Sequence, residues 1–231
     1  MKEKKSFKEN SINTGEVSGR IPTFSIVAMC LAGFFVLWLM VEMGHVSLID
    51  DPVRSAVIST RSAWLTPIMK VITYMGNWQT ITMICLFLLI IKKTRITYGV
   101  PLSIGALFVS LANKGIKAIV MRPRPDAEMF LIEQGGWSFP SGHAITSMFF
   151  FGMLIWLIRR NSRISDGEQD GSKSIDHRTA DVLTVLLAIP MLLIGVSRVY
   201  LGVHYPTDVL AGWCLGIIVI VVMSEVIKSR K

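Results

Sequence analysis

Apolar runs that approach the thickness of a bilayer constrain this chain more than any other feature of its sequence. A hydrocarbon core of about 30 Å needs roughly 17–25 mostly apolar helical residues, because no backbone N–H or C=O can stay unpaired there. Residues 22–41, 78–91, 96–112, 144–158, 182–199 and 209–227 form six such runs. The shorter ones must extend as helices into their polar flanks. The first is longer than a secretory-signal core and no small-x-small cleavage site follows it, so it reads as a retained span. Hydrophobic residues make up 52% of the 231 and charged ones 17%, with mean hydropathy +0.53. That balance excludes a disordered chain, a coiled coil and a small disulfide-stapled fold. The expected fold is all-α: a six-transmembrane-helix integral membrane bundle forming a single membrane-embedded domain over residues 1–231.

Between the first two runs, residues 44–77 are less apolar. Asp51-Pro52 and Thr66-Pro67 each resemble a helix start with Pro at the first helical position, and Gly76 resembles a stop. Short interfacial helices on the outer side are expected here. A second span that begins near Pro67 and kinks is the alternative, and the sequence leaves both open. Orientation follows from Lys and Arg. With the N-terminus inside, segments 1–20, 92–95, 159–178 and 228–231 hold 16 of the 24 basic residues. Both termini are therefore expected in the cytoplasm of a multi-pass cell-membrane protein, with 1–20 a cytoplasmic tail and 159–178 a cytoplasmic loop. The net charge of +8 then reads as a topology signal, with no nucleic-acid partner needed. Cys30, Cys85 and Cys214 lie in apolar runs without metal-ligand spacing and read as small buried hydrophobes.

The informative cations are those on the outer side, where insertion disfavours them. Lys114, Lys117, Arg122 and Arg124 crowd into NKGIKAIVMRPRP, and Arg198 opens SRVYLGVHYPTD. Charge at the membrane face marks a substrate path or an internal pair; for Lys114 and Arg122, snorkelling to the headgroups competes evenly with that reading. His143, in FPSGHA, and His204, in GVHYPTD, fall on the same side. Either alone is more often a packing histidine than a catalyst, but topology brings both to the same face as the cations. Ser141 is a candidate N-cap for the fourth span, whose free first-turn N–H groups would favour an anion. Pro206 fits the first position of the sixth span. Asp208 then stands one turn from His204, where a carboxylate can accept Nδ1–H and leave Nε2 free.

The ordered set Lys117-x6-Arg124-Pro125, Pro140-Ser141-Gly142-His143 and Ser197-Arg198-x5-His204-x3-Asp208 resembles the three-part signature of the type 2 phosphatidic acid phosphatase superfamily. The resemblance covers about 90 residues directly and, through the six-span layout, nearly the whole chain. Within the superfamily it is similar to the small bacterial phosphatidylglycerophosphatase B type. The resemblance implies that His204 attacks phosphorus, Asp208 orients it and His143 protonates the leaving alkoxide, with activity falling at high pH. Lys117, Arg124, Ser141, Gly142 and Arg198 would bind phosphate. Three cations can neutralise a phosphate without a metal. Asp208 reads as standing apart from Asp50, Asp51 and Asp126, so no cofactor and no metal are expected.

An extracytoplasmic site at the edge of the hydrocarbon favours a membrane lipid phosphate as substrate. Subfamily likeness puts phosphatidylglycerophosphate first, with undecaprenyl pyrophosphate or a broad phosphatidic acid activity as alternatives. An anion transporter would spread charge through the bilayer depth, whereas these charges gather at one face. Oligomeric state is not readable.

Overall fold

A computed structural model describes residues 22–165 and 176–229. The proposed cytoplasmic tail, the middle of the proposed cytoplasmic loop and the last two residues lie outside them. Eight main helices make up the described chain: α1 Thr23–Glu42, α2 Ser47–Ser59, α3 Leu65–Met75, α4 Trp78–Ile90, α5 Lys92–Val120 (with a π-turn at Arg95–Gly99), α6 Gly142–Ser165, α7 His177–Tyr200 and α8 Pro206–Ser229. No strand occurs among the described residues. The fold is an all-helical membrane bundle.

Five helices (α1 and α5 to α8) are long and apolar enough to cross a membrane, and α3 with α4, which meet at a 49° bend, pass the same test together as a broken span or a re-entrant loop. The run at 78–91 is thus not a span by itself. Its 13-residue helix rises only about 20 Å, and its 49° bend to α3 is compatible with the kinked alternative starting near Pro67. Two helix starts also differ from expectation. α2 begins at Ser47, which puts Pro52 inside the helix. α3 begins at Leu65, two residues before Pro67, still in the first turn where a proline costs no hydrogen bond. Gly76 does end α3. The third span starts at Lys92 rather than residue 96 and runs to Val120, so Lys114 and Lys117 ride on its last turns. Residues 92–95 are helical, so this run extends into its polar flank.

α6 is the central helix. Phe149, Phe150 and Met153 are buried on it, whereas Phe24, Phe35, Ile104, Phe108 and Val185 on surrounding helices face outward, as lipid contact requires. In lipid, helices gain little from apolar transfer and associate through close packing, which small residues permit. Gly212 and Gly216, four apart on α8, supply that contact with α6. A methyl at Gly212 would stand 2.9 Å from the Ser141 carbonyl oxygen, and one at Gly216 would stand 2.7 Å from Met148 Cβ. This pair clamps α8 against the start of α6, and the polar residues cluster at that same end of the bundle. Cys30, Cys85 and Cys214 are all unpaired.

Candidate active site

Two helix ends and the turn joining them hold the first group of polar residues. α7 stops at Tyr200 and α8 starts at Pro206. The link turns at Gly202, whose φ of +83° favours glycine. His204, on this turn, is 2% exposed, and Asp208, in the first turn of α8, is 0% exposed. Their Nδ1 and Oδ2 lie 3.2 Å apart. The same oxygen accepts from Ser138 Oγ at 2.5 Å and the Tyr205 amide at 2.9 Å. On the other side of the ring, Arg124 Nη1 lies 3.2 Å from Nε2. A guanidinium only donates and a carboxylate only accepts, so His204 carries its proton on Nδ1 and keeps the Nε2 lone pair.

The charge state of His204 follows from competing influences left unresolved by the sequence. Burial dominates and pushes its pKa down to about 3; Asp208 opposes this, while Arg124 and Arg198 add to it. His204 is therefore neutral at physiological pH. Burial also pushes Arg124 down, to about 10, which leaves it charged.

Three cations stand at this end of the bundle, each held by neutral acceptors. Arg124 donates to the carbonyls of Val203 (2.7 Å), Gly136 (2.9 Å), Gly135 (3.1 Å) and Trp137 (3.2 Å). Lys117 Nζ reaches the carbonyls of Trp137 at 2.5 Å and Ser138 at 2.9 Å. Buried Arg198 donates to Thr73 Oγ1 at 2.8 Å and to the Gln134 side-chain oxygen. Such partners hold the geometry without cancelling the charge, so an anion is the complement this cluster lacks. Lys114, by contrast, is exposed, in keeping with snorkelling.

Ser141 directly precedes α6, and its carbonyl accepts from the Ile145 amide at 3.0 Å. The expected side-chain cap is absent: buried Ser141 Oγ has no hydrogen-bond partner, and neither do Arg198 Nε and Asn113 Oδ1. His143, in the first turn of α6, places Nε2 at 2.7 Å from Asn77 Oδ1. Asn77 stands at the break between α3 and α4, so the α3–α4 bend contributes to the site. When the ring is doubly protonated, one N–H can stay on Asn77 while the other is offered to a ligand.

Arg122 decides one open reading and corrects one expectation. It does not snorkel: it is 7% exposed, with Nη1 at 2.7 Å from Asp208 Oδ1 and Nη2 at 2.6 Å from Asp50 Oδ2. Asp50 therefore does not stand apart from Asp208; the two carboxylates share one guanidinium. Asp50 also accepts from the Thr207 amide and hydroxyl, both at 2.9 Å, and Arg122 lies over the Tyr205 ring at 3.9 Å. Among the described residues no group of three or more His, Cys, Asp or Glu is arranged to hold a metal ion. Asp50, Ser138, Asn77, Thr73 and Gln134 escaped the sequence reading because each is one ordinary polar residue whose partner is remote in the chain. Arg122 alone carried a signal, as a basic residue at an outer face in the string RPRP.

The family profile of the PAP2 superfamily matches residues 98–231, more than half of the chain and all the residues of the histidine and cation cluster. The chain belongs to the PAP2 superfamily. Phosphatidylglycerophosphatase B of Bacillus subtilis is 29% identical over 189 residues, 80% of this chain and 86% of that protein. An undecaprenyl-diphosphatase of Sulfolobus acidocaldarius is 27% identical over 159 residues, 67% of this chain and 66% of that protein. In fold, the crystal structure of a transmembrane PAP2-type phosphatidylglycerolphosphate phosphatase from Bacillus subtilis matches with TM-score 0.74 and 24% identity, covering 89% of this chain and 97% of that one. Aquifex aeolicus LpxE matches with TM-score 0.56 and 21% identity, over 77% and 95%. This member of the family is a multi-pass membrane lipid phosphatase.

Proposed function

We propose that the protein hydrolyses phosphatidylglycerophosphate to phosphatidylglycerol and inorganic phosphate through a phosphohistidine at His204, on the extracytoplasmic face of the cell membrane. The observation that carries this reading is the neutral His204, its Nε2 lone pair facing Arg124 and its Nδ1–H held by Asp208. The substrate assignment draws on the likeness to a phosphatidylglycerophosphatase B over 80% of this chain. The orientation rests on the excess of Lys and Arg in segments 1–20, 92–95, 159–178 and 228–231.

In the first step Arg124 moves from Nε2 to a phosphate oxygen, joining Lys117, Arg198, Ser141 Oγ and the Gly142 amide around the phosphate. Nε2 bonds to phosphorus as the P–O bond to the glycerol headgroup breaks, and His143 gives its proton to the departing oxygen. In the second step water attacks phosphorus, His143 takes its proton, and inorganic phosphate leaves as the N–P bond breaks. Cations fixed beforehand stabilise the charge that spreads over the equatorial oxygens without reorganising during the reaction.

A second reading, hydrolysis of undecaprenyl pyrophosphate, is favoured by the 27% identity to an undecaprenyl-diphosphatase. It would use the same catalytic residues. Phosphate release by the purified protein from phosphatidylglycerophosphate, phosphatidic acid and undecaprenyl pyrophosphate separates the readings. The expected result is highest kcat/KM on phosphatidylglycerophosphate and none with His204→Ala. Preference for the prenyl substrate overturns the substrate assignment, and near-normal turnover by His204→Ala overturns the mechanism.

A further inference from the structure

Three buried polar atoms at the site lack partners, and they are not chemically alike. Arg198 Nε and Ser141 Oγ can both donate to phosphate oxygens. Asn113 Oδ1 can only accept, and an ionised phosphate oxygen has no hydrogen to give it. A buried acceptor left unsatisfied is costly, so whatever completes it must bring a donor.

The position of Asn113 narrows the donor. It lies one turn before Lys117 on α5, on the face that turns toward the phosphate cluster. Its amide packs on the first residue of α6: a methyl at Gly142 would be 2.8 Å from Asn113 Nδ2. Glycine at 142 thus lets Asn113 lie against the N-terminus of α6, beside His143. In the mechanism above His143 serves the leaving oxygen, so Asn113 borders the alcohol side of the scissile bond. The donor that a phosphate ester brings there is a hydroxyl near the ester carbon.

We propose that Asn113 is a specificity-determining residue that accepts a hydrogen bond from a free hydroxyl on the carbon next to the phosphoester carbon. The site then favours phosphate esters of glycerol whose C2 hydroxyl is unacylated. The terminal glycerol of phosphatidylglycerophosphate carries that hydroxyl. Phosphatidic acid has it esterified, and a prenyl pyrophosphate has none. This inference rests on the proposed phosphate site and reaction, and it adds the feature of the alcohol that is read.

The test uses two probes that differ in one oxygen: 1-oleoylglycerol 3-phosphate and its 2-deoxy analogue, the phosphate of 1-oleoyl-propanediol. Wild type should prefer the hydroxyl-bearing probe about tenfold or more in kcat/KM, the ratio that corresponds to about 1.4 kcal/mol. Asn113→Ala and Asn113→Leu should bring the ratio to within about twofold of unity, mainly by loss on the hydroxyl-bearing probe. Both probes are measured on the same protein sample, so a misfolded fraction cancels from the ratio. Wild type without a preference, or variants that keep it, overturns the proposal. Phosphatidylglycerophosphate and undecaprenyl pyrophosphate run in parallel: preference for the prenyl lipid sinks the proposed substrate, while the probe pair still decides the role of Asn113.

Discussion

Replacing Arg122 by Leu should strand two carboxylates in the protein interior. Arg122 bonds both Asp50 (2.6 Å) and Asp208 (2.7 Å), and both acids are buried. Breaking a buried pair by removing one partner costs about 3–5 kcal/mol, because an uncompensated charge remains. Loss of the stacking on Tyr205 adds to this. For a chain of this size that corresponds to a fall of about 6–20 °C in the unfolding midpoint. A companion change isolates the cause. Asp50→Asn keeps an oxygen for the Thr207 amide and removes one stranded charge. The double variant Arg122→Leu/Asp50→Asn should therefore recover roughly half of the loss. The assay is thermal unfolding in detergent at neutral pH for wild type, both single variants and the double variant. A single-variant loss below about 2 °C, or a double variant whose loss is the sum of the singles, would refute the reasoning.

Protonation gives a second prediction. The folded pKa of His204, about 3, lies below the ordinary histidine value of 6.5. The stability it contributes is therefore complete above about pH 6.5 and is lost as pH falls toward 3, at up to about 1.4 kcal/mol per pH unit. Between pH 7 and 5 the wild-type midpoint should fall more steeply than that of His204→Asn, and parallel profiles would contradict this. Gly212→Ala puts a methyl 2.9 Å from the Ser141 carbonyl oxygen. Overpacking there should cost about 1–3 kcal/mol and lower kcat by shifting the start of α6; unchanged midpoint and kcat would show that the α6–α8 contact has slack. EDTA should leave phosphate release unaltered, whereas a loss restored by Mg²⁺ would assign a metal to the reaction.

Legibility in the sequence depended on how local each determinant is. Span existence is a composition property of about twenty residues, and five spans could be read off directly. The second stayed open because α3 and α4 are each too short to cross a bilayer alone and meet at a 49° bend at Gly76-Asn77. The pairing of His204 with Asp208 was legible because one helical turn separates them behind Pro206. Arg124, Lys117 and Arg198 were legible as cations crowded at one membrane face. The Asp50–Arg122–Asp208 bridge was not, since Arg122 meets partners 72 and 86 residues away. Nor was the contact of Asn77 with His143, which exists because the α3–α4 bend brings the residue before α4 to the site. Ser141 stands where a cap was expected, yet its hydroxyl is left free for a ligand. That distinction requires coordinates.

The central claim is that His204 carries the phosphoryl group. Rapid quenching of the purified enzyme with a substrate radiolabelled in its terminal phosphate, followed by peptide mapping, tests it most directly. The account predicts an acid-labile, alkali-stable label on the peptide containing His204, absent in His204→Ala. Labelling of His143 or Ser141 instead, or steady turnover with no label on His204 at any quench time, would contradict it.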